Sequence, residues 1–132
     1  MVMAAIGSFR ELKVYQAARV EARRIFQATQ AFPASERYSL TDQIRRSSRA
    51  VNGMIAEAWA RRRYQAAFVN KINEALGEAM ETQAWLDHAL DCGYLEPGMH
   101  REFDTAWQSV GGMLQRMMER ANTFCPNVDA HS

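Results

Sequence analysis

Two groups of arginines are the residues of this chain best suited to holding a charged partner. Arg45, Arg46 and Arg49 fall about one helical turn apart, and Arg61, Arg62 and Arg63 run consecutively between Trp59 and Tyr64. A guanidinium is a planar fork of donors that matches two phosphate oxygens, and an aromatic ring offers a base a face to stack on. All six arginines are therefore candidate nucleic-acid contacts. They equally suit pairing with the acids of the third predicted helix, within one chain or between subunits, and the sequence leaves both uses open.

Other constellations are weaker. Glu74, Glu78 and Glu81 share a helical face, with Lys71 before them. Paired carboxylates can do acid–base work, but such a row also forms a solvated face or a partner for arginines. His88 and Cys92 are four residues apart with Asp91 near, which is zinc-ligand spacing with too few ligands to complete a site. No histidine has a glutamate three residues before it, as a dimetal bundle would require. There is no glycine-rich phosphate loop, nucleophile elbow or zinc-protease signature. The expectation is no enzyme, no metal and no cofactor.

Composition fits an ordinary folded domain. The chain has 132 residues, 48% hydrophobic and 23% charged, with eight Met but only three Pro and seven Gly, a mixture that favours helix and an adaptable core. A chain of this length buries roughly 68% of its unfolded surface as one domain. The net charge of +1 conceals an asymmetry. Residues 37–63 carry seven Arg against Asp42 and Glu57, a balance of +5, whereas residues 74–104 carry eight acids against Arg101, a balance of −7. Such segments attract one another across faces or protomers. Cys92 and Cys125 form no framework, Met1 to Gly7 lacks the makings of a signal peptide, and no run of eighteen apolar residues exists. A cytoplasmic protein with reduced thiols is expected.

The elements that must carry these residues are helices. Leu12, Tyr15, Ala18, Ala22, Ile25 and Thr29 mark the first stripe, with Ser8 to Glu11 at capping-box spacing before it. Leu40, Ile44, Ser47 or Ser48, Val51, Ile55 and Ala58 mark the second, with Ser39 expected as N-cap and Asp42 as its first-turn acid. Asn52-Gly53 is a hairpin signal, yet its flanks keep helical spacing, so a helix with a local kink is expected. Phe68, Ile72, Leu76, Ala79, Leu86 and Leu90 mark the third, which Gly93 should close as a left-handed cap. Met99, Phe103, Ala106, Val110, Met113, Met117, Ala121 and Phe124 mark the fourth, and Pro126 stops it. The spacing predicts helices over about 9–31, 39–60, 64–92 and 98–124, between a frayed end at 1–7 and a six-residue tail. One all-α, up-down-up-down four-helix bundle spanning 1–132 is the expected fold.

Several stretches, taken as a set, resemble a known family. They are Phe9-Arg10-Glu11-Leu12-Lys13-Val14-Tyr15-Gln16, Phe32-Pro33, Leu40-Thr41, Gln43-Ile44-Arg45-Arg46, Ile55-Ala56-Glu57 and Ala75 to Gln83. Together they resemble the bacterial four-helix bundle proteins, also called intervening-sequence proteins after members encoded inside large-subunit ribosomal RNA genes. The chain departs from that pattern at Ala50-Val51-Asn52-Gly53-Met54, where the family usually has Ser-Ile-Pro-Ser-Asn, and at Ala58, where it has Gly. The resemblance implies a homopentamer around a central channel. Through a related branch, the accessory variability determinant of diversity-generating retroelements, it also implies binding of RNA or DNA beside a reverse transcriptase. It carries over no catalytic residue. Two functions therefore stand: an oligomeric nucleic-acid binder acting through the arginines, and a protein–protein adaptor whose arginines make subunit contacts.

Overall fold

Hydrophobic residues at spacings of three and four can leave water only by facing another such stripe, and four long helices do this here. In the computed structural model, which describes residues 6–126, α1 spans Lys13–Thr29, α2 Leu40–Ala60, α3 Gln65–Asp91 and α4 Pro97–Glu119. A four-residue α5, Ala121–Phe124, follows α4. No strand occurs among the described residues. Most of the end expected at 1–7, and all of the tail expected at 127–132, lie outside them.

α2 packs on α1 and α3, α3 on α4, and α1 on α4, so each long helix touches two others. Ile44, Val51, Ile55, Ala58, Phe68, Ile72, Leu86, Trp107, Val110 and Leu114 are buried between them. Burying each large aliphatic or aromatic side chain contributes about 1.5–3 kcal/mol.

Three core stripes differ in detail from the sequence reading. In α4 the buried residues are Phe103, Trp107, Val110, Leu114 and Met117, while Ala106 and Met113 are only half-buried and Met99 is exposed. Either set fits helical spacing; the helix is turned about its axis so that the more hydrophobic side chains, Trp107 over Ala106 and Leu114 over Met113, are the buried ones. In α3 the core includes Ala75, Thr82 and Ala89, with Leu76 and Leu90 half-buried. Thr82 lies 2.8 Å from Ser47 of α2, hydroxyl to hydroxyl, and also bonds the Glu78 carbonyl at 3.0 Å. A polar pair sealed between two helices is satisfied in one register, so it discourages sliding of α2 past α3. In α1, Val14 is buried and Tyr15 and Ala22 are not fully so.

The helix ends differ too. Ser8 caps a short 3-10 turn, Phe9–Glu11, and α1 begins after Leu12, whose ψ of 129° is extended. Glu11 reaches back to the Gly7 amide at 3.0 Å. Ser39 gives α2 no side-chain cap; the Leu40 amide donates to Glu36 Oε1 at 3.3 Å, and the Ser39 hydroxyl also donates to Glu36. α2 runs unbroken through Asn52-Gly53, and the Asn52 carboxamide donates to the Tyr15 carbonyl at 3.0 Å. α3 closes with Gly93 at φ 76°, the Tyr94 amide bonding Ala89 and the Gly93 amide bonding Leu90. That pattern satisfies two end carbonyls and needs a residue at ease in the left-handed region.

Candidate nucleic-acid interface

The first arginine triplet lies against the neighbouring helices, with Arg46 and Arg49 still exposed. Arg45 Nε donates to the buried Thr29 hydroxyl at 2.8 Å, at the end of α1, and its guanidinium lies 4.6 Å from the Phe26 ring. A cation there also offsets the partial negative charge of α1's last carbonyls. Arg49 lies over the same ring at 5.5 Å. Arg46 turns the other way, to α3, where Nη2 holds both oxygens of Glu81 at 2.8 and 3.0 Å and Nη1 stands 3.5 Å from Glu78. α2 is thus clasped to both neighbours by its own arginines. Phe26 and Thr29 are partners the sequence reading missed; Phe26 sits off the core stripe, and two arginine side chains cover it.

Electrostatics at Arg46 follow from this geometry. The Glu81 hydrogen bonds, opposed by partial burial and helped by the charges of Glu81, Glu78 and Asp42, raise the guanidinium's pKa above its ordinary value. Glu78 is pushed the other way for an acid: burial first, then its neighbour Glu81, raise its pKa, and the pull of Arg46 only partly offsets them. The guanidinium commits to Glu81 and leaves Glu78 with a distant share.

The second triplet sits differently, on the connection from α2 to α3. Arg61 has one carboxylate in reach, Glu57 at 3.9 Å, and more than half of its side chain is exposed. Glu57 also lies 3.4 Å from Lys71, so its charge is divided. Arg62 lies 3.9 Å above the Trp59 ring and donates to the Trp59 carbonyl at 2.8 Å, which fixes its guanidinium and takes up one indole face. Arg63 is exposed, 6.0 Å from the exposed Tyr64 ring. The structure therefore separates the six candidates: Arg45, Arg46 and Arg49 against neighbouring helices, Arg61 to Arg63 together at one corner.

Glu74 pairs with Lys71 at 3.3 Å, and Glu78 and Glu81 face Arg46, so the acidic row of α3 is occupied by cations of its own chain. His88 and Cys92 are exposed at the end of α3, and no group of three or more His, Cys, Asp or Glu among the described residues is placed to hold a metal. No helix among the described residues is long and apolar enough to cross a membrane.

A family model described as 23S rRNA-intervening sequence protein matches residues 10–116. Among solved structures, the chain is similar to a protein with unknown function of the S23 ribosomal protein family from Bacteroides thetaiotaomicron. The TM-score is 0.72 at 24% identity, over 80% of this chain and 95% of that one, a likeness of fold. No curated protein matches the sequence.

Proposed function

The chain belongs to the 23S rRNA-intervening sequence protein family, and from that premise we propose that it is a non-enzymatic, oligomeric bundle protein of the cytoplasm that binds RNA or DNA. Arg61, Arg62 and Arg63 supply the contacts, alone or beside a polymerase such as a reverse transcriptase. The order of helix contacts, α1–α2–α3–α4 and back to α1, supports an up-down-up-down arrangement.

One observation carries the binding proposal. Three consecutive arginines stand at one corner, and among the described residues a single carboxylate, at 3.9 Å from Arg61 and shared with Lys71, is within ion-pair reach of any of them. Phosphates complete what the protein leaves uncompensated there. Contacts of this kind are sequence-tolerant, and a ring of identical protomers adds them by multivalency, which offsets a protomer charge of only +1.

The test is binding of labelled RNA and DNA at several salt concentrations. Changing Arg61, Arg62 and Arg63 together to Gln should abolish binding at moderate salt and leave the oligomer intact, with the salt slope falling by about one for each phosphate no longer held. If that variant dissociates the assembly instead, or the native protein binds no nucleic acid at low salt, the arginines serve subunit contacts and the adaptor function replaces this one.

A further inference from the structure

Beside the arginine corner, α3 and α4 leave a depression of about 890 Å³ between them. Gln65, Val69 and Asn73, one stripe of α3, line it with Asn70, and Gln115 and Met118 close it from α4. Its polar groups are all carboxamides. Among the described residues the side chains of Gln65, Asn73 and Gln115 have no hydrogen-bond partner, while Asn70 donates to Glu74 at 3.1 Å. A carboxamide carries both a donor and an acceptor, the pairing that base edges also present. Val69 and Met118 add apolar surface suited to a ring face. The depression starts at Gln65, the residue after Tyr64, which is 65% exposed.

We propose that the corner and the depression form one site for single-stranded nucleic acid: phosphates on Arg61 and Arg63, one base stacked on Tyr64, and the next lowered by its edge onto the carboxamides. The proposal rests on the nucleic-acid function above and specifies the form of the ligand. A duplex is the wrong shape for it. Reading a groove takes a protruding helix or ribbon, whereas this surface is concave, and paired bases have neither a free face for Tyr64 nor a free Watson–Crick edge for the carboxamides. Unpaired loops and ends have both. Trp59, the other aromatic of the corner, is not the platform, because Arg62 already covers it.

The experiment compares a short single-stranded oligonucleotide with a hairpin of equal charge whose fully paired stem is closed by a non-nucleotide linker, by fluorescence anisotropy at low and moderate salt. The single strand should bind at least about tenfold more tightly. Tyr64→Ala should remove about tenfold of that affinity and leave hairpin binding unchanged, as expected when one base loses its stacking partner, while Tyr64→Phe should retain it. Asn73→Ala with Gln115→Ala should alter the ranking among homopolymers without altering the salt slope. Tyr64, Asn73 and Gln115 are all exposed, so circular dichroism should show native helix content in each variant. Equal affinity for strand and hairpin, or a Tyr64→Ala variant indistinguishable from native, overturns this inference while the arginine-dependent binding stands. Absence of binding to either probe overturns both.

Discussion

The carboxylate of Glu36 collects three donors from two parts of the chain: the Ser39 hydroxyl and the Leu40 amide at the start of α2, and the Tyr94 hydroxyl at 2.8 Å. The hydrogen bonds, Ser39 first, hold its pKa below the ordinary value, and Glu36 in turn pushes the Tyr94 phenol up to about 12. The signs set a window. An acid with a lowered folded pKa stabilises the fold in full above its unfolded value and loses that contribution as pH falls through the folded one. A phenol with a raised pKa contributes in full below its unfolded value of 10.0 and loses it as pH climbs toward about 12. The link between the start of α2 and the end of α3 should therefore hold from mild acid to beyond pH 10. Tyr94→Phe should move the Glu36 titration upward by carbon-detected NMR, and Glu36→Gln should return the Tyr94 absorbance titration toward 10.0. An unmoved Glu36 in the first variant means that Ser39 and Leu40 suffice. Arg46 gives a second prediction. Its bonds to Glu81 are bidentate but half-exposed, so a double-mutant cycle between Arg46→Gln and Glu81→Gln should give a coupling of only about 0.5–1 kcal/mol. Glu78→Gln should be neutral or mildly stabilising at pH 7, because an acid whose folded pKa lies above its unfolded value costs stability once it is charged. A destabilisation as large as that of Glu81→Gln in urea unfolding would show that Arg46 divides itself evenly between them.

At the scale of elements, the left-handed close of α3 is testable because space and strain separate there. A Cβ on Gly93 meets nothing within 4 Å, so Gly93→Ala should lose only the backbone term, about 1–2 kcal/mol. Ile55 is wholly buried, and Ile55→Asp should cost several times as much by placing an unpaired charge in the core; an unchanged melting temperature would mean that α2 does not face inward there. Much of this level was legible in the sequence. The α2 stripe from Leu40 to Ala58 is buried as its spacing predicts, and Gly93 takes the positive φ that its place after Cys92 suggests. What could not be read is what periodicity leaves degenerate. Ala106 and Trp107, or Met113 and Leu114, satisfy the same spacing, and only packing against a partner surface picks the buried one of each pair. Caps fail for a related reason: Ser39 and Glu36 both suit the start of α2, and Tyr94, 58 residues away from Glu36, tips the choice. The candidate site was legible in residue type but not in allocation. Arg45 and Arg49 meet Phe26, a half-buried ring outside the apolar stripe, so nothing in α1's pattern marked it as their partner.

For the whole molecule, the charge asymmetry means something different once α2 and α3 are known to be neighbours. Balances of +5 over 37–63 and −7 over 74–104 suggest protomers that attract head to tail. Yet Arg46 meets Glu78 and Glu81 inside one chain, Lys71 takes Glu74 and Glu57, Asp87 lies 2.9 Å from His100, and Glu102 is 3.6 Å from Arg24. Glu74, Glu78, Glu81, Asp87 and Glu102, five of the eight acids over 74–104, thus have partners inside one chain, which leaves less of the negative segment for a neighbour and shifts the burden of a ring toward apolar surface. α3 offers some: Met80 is 58% exposed, with exposed Gly77 three residues before it and exposed Ala84 four after, one stripe facing away from the core. Small residues on either side of a large one let another helix approach closely, and the buried methionine then contributes about 1.5–3 kcal/mol per copy. Light scattering should give a mass several times the 15.0 kDa protomer, five times for the expected pentamer, and the mass should change little between low and high salt. Met80→Lys should dissociate it without loss of helix. A strict monomer at all concentrations removes the oligomer from the proposed function and, with it, the multivalency that a weakly charged protomer needs to hold nucleic acid. An assembly that salt takes apart would instead return the arginines to the subunit contacts.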